Sequence, residues 1–135
     1  MTDTPPRTPL PRPTAADETF PTLSAAQITR VATHGKVRRV ESGDVLLRAG
    51  EHAEQFFVVT AGRIEIVRQM AAGEQLVIDL LPGQFSGEGK EGKFSLVTLR
   101  AVEKGEVIEI GRDELLALVQ TDSELSEIFV KAYLL

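Results

Sequence analysis

The stretch that decides the fold runs from Glu41 to Arg68 and reads ESGDVLLRAGEHAEQFFVVTAGRIEIVR. It alternates short β-prone runs, at Val45–Leu47, Phe56–Val59 and Ile64–Val67, with glycines at positions 43, 50 and 62. This alternation is typical of antiparallel strands joined by tight turns. The stretch therefore predicts the front half of a small barrel.

Strand-like segments continue across most of the chain. Seven are predicted, at Val37–Val40, Val45–Arg48, Gln55–Val59, Arg63–Gln69, Gln75–Leu80, Ser95–Glu103 and Glu106–Ile110. Turn residues recur roughly every eight to twelve positions, which favours a β-sandwich or barrel over βαβ units. The segment from Met70 to Glu74 is predicted to be a hairpin loop.

Two amphipathic strands predict a core on one side of the sheet. In the first, Ile64 and Ile66 alternate with Glu65. In the second, the apolar residues around Glu109 are Val107, Ile108 and Ile110. A half-buried strand has this period of two, so the pattern indicates one buried face and one solvated face.

A helix is predicted before the strands. Ser24 is its candidate N-cap, with Gln27 three residues later, as in a capping box. The helical period is expected to end at His34 and Gly35, where glycine can adopt the left-handed cap. A lone histidine at a helix end is more often solvated than a ligand.

Two further helices are predicted after Gly111, where the apolar period changes to about four. The first covers Asp113 to Val119, and a capping box of Thr121 with Glu124 begins the second. The last helix carries an apolar stripe formed by Leu125, Ile128, Phe129, Ala132 and Tyr133. Such a stripe packs either on the barrel or on a second subunit.

Length and composition predict one globular domain. Residues 1–21 hold six of the seven prolines and are interpreted as a flexible leader, whereas residues 22–135 form the domain. The chain stops at Leu134-Leu135, inside the apolar stripe. We expect either that the domain is cut in its last helix or that this helix packs on a partner.

Charge and residue usage exclude several classes of function. A net charge of −5 argues against a nucleic-acid surface, and the absence of cysteine excludes disulfides and thiol chemistry. His34 and His52 are the two histidines and have no motif context, so neither a metal centre nor catalysis is expected from this chain. The longest apolar run is far shorter than the roughly 20 residues that span a bilayer, and no secretory signal is evident, which favours a cytoplasmic protein without a membrane partner.

Four motifs show a resemblance to a known family. They are Ser-Gly-Asp-Val-Leu at 42–46, Ala-Gly-Glu at 49–51, Phe-Phe-Val-Val at 56–59 and Gly-Arg-Ile-Glu-Ile at 62–66. With the order of predicted elements, they make the chain resemble the cyclic nucleotide-binding domain of catabolite-activator-type regulators. The resemblance implies a mainly β fold, an antiparallel jelly-roll (double-stranded β-helix) barrel with one N-terminal and two C-terminal flanking helices.

The resemblance also implies a ligand site. In that family a short helix that begins with Phe-Gly-Glu binds the cyclic phosphate and the ribose, and a later arginine pairs with the phosphate. Phe85, Gly87 and Glu88 match the first part, while Ser95 occupies the arginine position and Lys93 is the nearest cation. The implied ligand is cyclic AMP or cyclic GMP, and no cofactor is required. The alternative for Glu88 is a solvated loop carboxylate.

Two functions remain open at this point. The first is a regulatory ligand-sensing domain that signals through its C-terminal helices to a fused or associated effector. The second is a degenerate structural or dimerisation module of the same fold, which has lost the ligand and forms a homodimer through the C-terminal helix. The segment from Gly89 to Lys93 departs from the family, since two glycines disfavour the expected helix.

Overall fold

The computed structural model describes residues 22–52, 55–86 and 95–134, with side chains as far as Phe129 in the last helix. Within these ranges, eight strands form two four-stranded antiparallel sheets in a jelly roll, with one helix before them and two after them. The fold predicted from the sequence is confirmed. Among the described residues, no helix combines the length and apolar character needed to cross a membrane.

The elements follow one another along the chain with short connections. They are α1 (Ala25–Ala32), β1 (Lys36–Val40), β2 (Val45–Leu47), β3 (Gln55–Ala61), β4 (Ile64–Met70), β5 (Gly73–Leu80), β6 (Phe85–Ser86), β7 (Val97–Ala101), β8 (Gly105–Gly111), α2 (Arg112–Thr121) and α3 (Ser123–Leu134). The first sheet has the order β1-β8-β3-β6 and the second has the order β2-β7-β4-β5.

Two details of the strands differ from the sequence-based prediction. Strand β6 was not predicted, because two residues are too few to show a period. The predicted hairpin loop from Met70 to Glu74 is shorter, since β4 continues to Met70 and β5 begins at Gly73. Gly73 makes this tight turn feasible by adopting φ +124°.

The core consists of two clusters of buried side chains. The roll cluster lies between the sheets and contains Val40, Leu47, Phe57, Val59, Ile64, Ile66, Leu80, Leu99, Ala101 and Val107. The helix cluster lies under the helices and contains Leu23, Val31, Phe56, Val58, Phe85, Ile108, Ile110, Leu115, Leu118, Leu125 and Phe129. Burial of this apolar surface is the main favourable contribution to folding.

Strand β8 contributes to both clusters. Val107 belongs to the roll cluster, whereas Ile108 and Ile110 belong to the helix cluster. The one-sided core predicted for this strand is therefore wrong. The helices cover the face of Ile108 and Ile110, and the opposite face, expected to be solvated because it carries Glu109, buries Val107 between the sheets. The prediction is right for Ile64 and Ile66 of β4, which both lie in the roll cluster.

The start of α1 agrees with the sequence and its end does not. Ser24 is the N-cap and forms the reciprocal capping box with Gln27. The helix ends at Ala32, and Gly35 does not adopt the left-handed conformation. Glycine is required there for another reason, since a Cβ atom on Gly35 would lie 2.6 Å from Cγ2 of Ile108.

The junction between α2 and α3 also differs from the prediction. Thr121 belongs to α2, and its hydroxyl donates to the carbonyl oxygen of Ala117 at 2.9 Å. The carboxylate of Asp122 accepts a hydrogen bond from the N–H of Leu125 at 3.1 Å and so caps α3. The predicted capping box of Thr121 and Glu124 is therefore wrong. The Glu124 carboxylate instead accepts hydrogen bonds from Gln27 and Arg30 of α1.

Candidate ligand-binding cassette

The cassette is the segment from Gly83 to Ser95, and its start is fixed to strand β3. Gly83 adopts φ +91° in the turn before β6, and its N–H donates to the carbonyl of Val59 at 2.7 Å. The N–H of Val59 in turn donates to the carbonyl of Gln84 at 2.9 Å. The Gln84 side chain is buried and accepts from the N–H of Leu81. The turn is thus held by both backbone and side chain.

Phe85, one of the predicted binding residues, lies in β6 and is 1% exposed. Its backbone pairs with Val58 of β3, and its ring packs on Phe129 of α3. The two ring centroids are 4.7 Å apart at an interplanar angle of 58°. A tilted aromatic pair at this distance is a favourable arrangement. The start of the cassette therefore contacts the last helix directly.

Ser95, the residue predicted to stand at the arginine position, is 2% exposed. Its hydroxyl donates to the carbonyl of Val97 at 2.7 Å and accepts from the N–H of Val97 at 3.2 Å. Its N–H donates to the carbonyl of Glu51 at 2.7 Å, and its carbonyl accepts from the N–H of Gly50 at 2.8 Å. Ser95 therefore fixes the end of the cassette to the turn before β3.

The other three predicted binding residues lie outside the described residues. Gly87, Glu88 and Lys93 all fall between Ser86 and Ser95, the two fixed ends of the segment. Their roles as phosphate and ribose ligands stay predictions. Both ends of the segment are held by backbone contacts, Ser86 with Phe57 and Ser95 with Gly50 and Glu51.

The apolar stripe of α3 packs within the chain as far as it is described. Leu125 is 0% exposed and Phe129 is 4% exposed, and both belong to the helix cluster. Ile128 is partly buried against the same cluster. The side chains of Ala132 and Tyr133 lie outside the described residues. The described part of the stripe thus favours packing on the roll, while a homodimer through this helix stays a prediction.

A polar clasp joins α1 to the start of α3. Nε of Arg30 donates to the Asp122 carboxylate at 2.7 Å, and its Nη2 donates to the Glu124 carboxylate. The side-chain amide of Gln27 also donates to Glu124, at 3.0 Å. We refer to Gln27, Arg30, Asp122 and Glu124 as the clasp. The clasp could not be predicted from the sequence, because its two halves are more than ninety positions apart.

The clasp changes the ionisation of its acids. The hydrogen bond from Arg30 lowers the pKa of Asp122, and the N–H of Leu125 adds to this effect. The hydrogen bond from Gln27, followed by that from Arg30, lowers the pKa of Glu124. A carboxylate that is held by donors in the folded state is a weaker base there than in the unfolded chain.

We expect the stabilising effect of the clasp to depend on pH. Since folding lowers the pKa of Asp122 and Glu124, their contribution is complete above the unfolded values of about 4 and is lost as pH falls through the lower folded values. Thermal unfolding of wild type and Arg30→Met, measured from pH 7 down to pH 3, checks this. The difference in Tm should shrink toward zero at the acid end. A difference that stays constant over this range would contradict the prediction.

A concave surface lies where the turn after α1 meets the start of α2. It has a volume of about 340 Å³ and is lined by His34, Gly35, Lys36, Gln55, Glu109, Gly111 and Glu114. Glu109 is paired there with Arg38 at 3.2 Å. Within the part of the chain that the structure describes, no three acids or histidines are grouped as metal ligands would be. This groove therefore offers no metal centre.

The family model of the cyclic nucleotide-binding domain matches residues 37–122. The chain belongs to the cyclic nucleotide-binding domain family. The matched range runs from β1 to the residue that caps α3, so it includes both fixed ends of the cassette. The resemblance found in the sequence is confirmed.

Two curated proteins match part of this cyclic nucleotide-binding domain. The acetyltransferase Pat of Mycolicibacterium smegmatis is 32% identical over 74 residues, which is 55% of this chain and 22% of that protein. The cAMP-dependent protein kinase regulatory subunit of Mycosarcoma maydis is 29% identical over 69 residues, which is 51% of this chain and 13% of that protein. The chain therefore matches less than a quarter of the length of either relative.

A solved structure supports the fold. The catabolite activator protein of Thermus thermophilus superposes with a TM-score of 0.72 at 20% identity, covering 84% of this chain and 55% of that one. At this level of identity the likeness shows the fold alone. It agrees with the jelly roll and its three flanking helices.

Proposed function

We propose that this domain is a regulatory sensor in which a cyclic nucleotide occupies the cassette and changes the packing of α3. The ligand would be cyclic AMP or cyclic GMP, with Gly87 and Glu88 at the phosphate and ribose and Lys93 as the counter-charge. The effector would be a fused or associated protein whose activity depends on the position of the C-terminal helices. The domain itself would not be catalytic.

The contact between Phe85 and Phe129 carries this proposal. Phe85 lies two residues before Gly87, and Phe129 lies in the middle of α3. Because both rings are buried, a displacement of β6 cannot occur without a change in the packing of α3. A ligand that displaced β6 on binding the cassette would therefore change the packing of α3.

The size of the response is limited by thermodynamics. A ligand shifts α3 only by the difference between its affinities for the two arrangements of the helix. A coupling of about 1–3 kcal/mol is typical of allosteric domains. The contact of Phe85 with Phe129, an aromatic pair of about 0.5–1.5 kcal/mol, can supply part of such a coupling.

Thermal unfolding with increasing cyclic AMP or cyclic GMP tests ligand binding. At a free concentration about a hundredfold above Kd, binding to the folded state alone adds about 2.7 kcal/mol, and Tm should rise by roughly 10 °C. Glu88→Gln should reduce this rise, because an amide accepts less strongly from a ribose hydroxyl. Lys93→Arg should increase it, because guanidinium binds a phosphate with two parallel hydrogen bonds.

Lys104→Arg is the matched control. Lys104 is exposed in the turn between β7 and β8, so this exchange should leave the response unchanged. The proposal would be abandoned if saturating nucleotide left Tm unmoved in wild type and in Lys93→Arg. Adenosine monophosphate at the same concentration separates recognition of the cyclic phosphate from general anion binding.

One observation favours a second function, a structural module that has lost its ligand. Ser95 stands where the family arginine is expected, and its hydroxyl is engaged with the backbone of Val97. In this alternative the domain responds to neither nucleotide. Light scattering then tests association, because a dimerisation module gives twice the monomer mass at micromolar concentration.

A further inference from the structure

The residues that lead into α1 contact the cassette, and α1 itself contacts the start of α3. Just before α1, the N–H of Leu23 donates to the carbonyl of Gly83 at 2.8 Å. The contact is close, since a Cβ atom on Gly83 would lie 2.7 Å from Cγ2 of Thr22. A displacement of the turn at Gly83 would therefore also displace Thr22 and Leu23, which lead into α1.

The other connection of α1 is the clasp. Arg30 belongs to the last turn of α1 and binds Asp122, which caps α3, as well as Glu124 in the first turn of α3. Val31, the neighbouring residue, is 0% exposed and belongs to the same helix cluster as Leu125. The polar clasp thus lies beside an apolar cluster to which both helices contribute.

We propose that the clasp holds α3 in its packed position and thereby sets how readily the domain releases that helix. This regulatory role rests on the proposed sensor function, since it gives the cassette a second connection to α3 through α1. The direct connection is the aromatic pair of Phe85 and Phe129. The indirect one passes from Gly83 through Leu23 and α1 to Arg30.

The strength of the clasp can vary with the solvent because its side chains are only half-buried. The Arg30 side chain is 41% exposed and the Glu124 side chain is 61% exposed, while Asp122 is 18% exposed. Ion pairs at this exposure are weakened by salt, whereas the aromatic pair is not. The contribution of the clasp to the position of α3 therefore depends on ionic strength.

Hydrogen exchange of wild type and Arg30→Met tests the role of the clasp without any ligand. Methionine keeps an apolar stem but removes the donors, so the amides of α3 should exchange about fivefold to tenfold faster. The amides of β4 in the roll should keep their rates. In wild type, raising the salt concentration from about 0.05 M to 0.5 M should accelerate the same α3 amides.

Arg38→Met is the matched control. Arg38 is also 41% exposed and also forms an ion pair, with Glu109 at 3.2 Å, but it joins β1 to β8. The Arg38→Met variant should leave the hydrogen-exchange rates of the α3 amides unchanged. If Arg30→Met accelerated the amides of α3 and β4 equally, or accelerated neither, the proposed role of the clasp would be wrong.

A second measurement connects the clasp to the ligand. If the sensor function holds, the apparent Kd for cyclic AMP or cyclic GMP changes in Arg30→Met by up to the same factor as the exchange of α3, and does not change in Arg38→Met. A Kd identical to wild type, with faster α3 exchange, would show that α3 is released without consequence for the cassette and would overturn the regulatory role. Absence of binding in wild type would instead contradict the proposed function, while the exchange measurement still decides whether the clasp holds α3.

Discussion

Replacement of Phe129 by alanine is expected to lower the free energy of unfolding by about 3–5 kcal/mol. The Phe129 ring is 4% exposed and packs on Phe85, so truncation removes buried apolar surface and leaves a cavity between α3 and β6. Urea unfolding monitored by circular dichroism measures the change. The domain should remain folded in water, with a lower midpoint and a similar slope.

Leu116→Ala is the control for this effect. Leu116 lies in the neighbouring helix α2 and is 48% exposed, so its truncation should change stability by less than about 0.5 kcal/mol. A double-mutant cycle of Phe85→Leu and Phe129→Leu should give a coupling energy of about 0.5–1.5 kcal/mol. A loss below 1 kcal/mol for Phe129→Ala would mean that α3 is not held by this aromatic pair.

The second large effect is expected at Gly62, where alanine should destabilise the domain by about 2–4 kcal/mol. Gly62 adopts φ +82°, which is costly for a residue with a side chain. In addition, a Cβ atom there would lie 2.8 Å from the carbonyl oxygen of Lys104 and 2.9 Å from Cα of Gly105. Both neighbours are backbone atoms, so neither can move aside cheaply.

Gly43→Ala separates the two causes. Gly43 has nearly the same conformation, with φ +92°, but no atom lies within 4 Å of the position of its Cβ. Gly43→Ala should therefore lower the free energy of unfolding only by the conformational cost of a positive φ, about 1–2 kcal/mol. The difference between the two variants in urea unfolding gives the steric part. Equal losses of unfolding free energy in Gly62→Ala and Gly43→Ala would show that the turn at Lys104 can move away from residue 62 without cost.

Local features of the fold could be predicted from the sequence because they depend on neighbouring residues. The capping box of Ser24 and Gln27 and the alternation of Ile64 and Ile66 around Glu65 are of this kind. The predictions for Gly35 and for Thr121 were wrong because distant or competing groups decide those positions. Ile108 occupies the space beside Gly35, and Asp122 provides the cap that was assigned to Thr121.

The candidate site was predictable only in part, and for a related reason. The resemblance predicted a cassette between two late strands, and the structure shows how Phe85 and Ser95 are held near the two ends of that segment. The clasp could not be predicted, because nothing in the sequence around Arg30 indicates that Asp122 and Glu124 lie beside it. The roles of Gly87, Glu88 and Lys93 remain predictions.

The fixed ends of the cassette have a consequence for how such a domain can evolve. Ser86 pairs with Phe57, and Ser95 exchanges backbone hydrogen bonds with Gly50 and Glu51, so the roll holds both ends of the segment. For a loop with fixed ends, doubling the length costs only about 0.6 kcal/mol of closure entropy. Insertions, deletions and new ligand preferences can therefore accumulate between Ser86 and Ser95 while the scaffold keeps its stability.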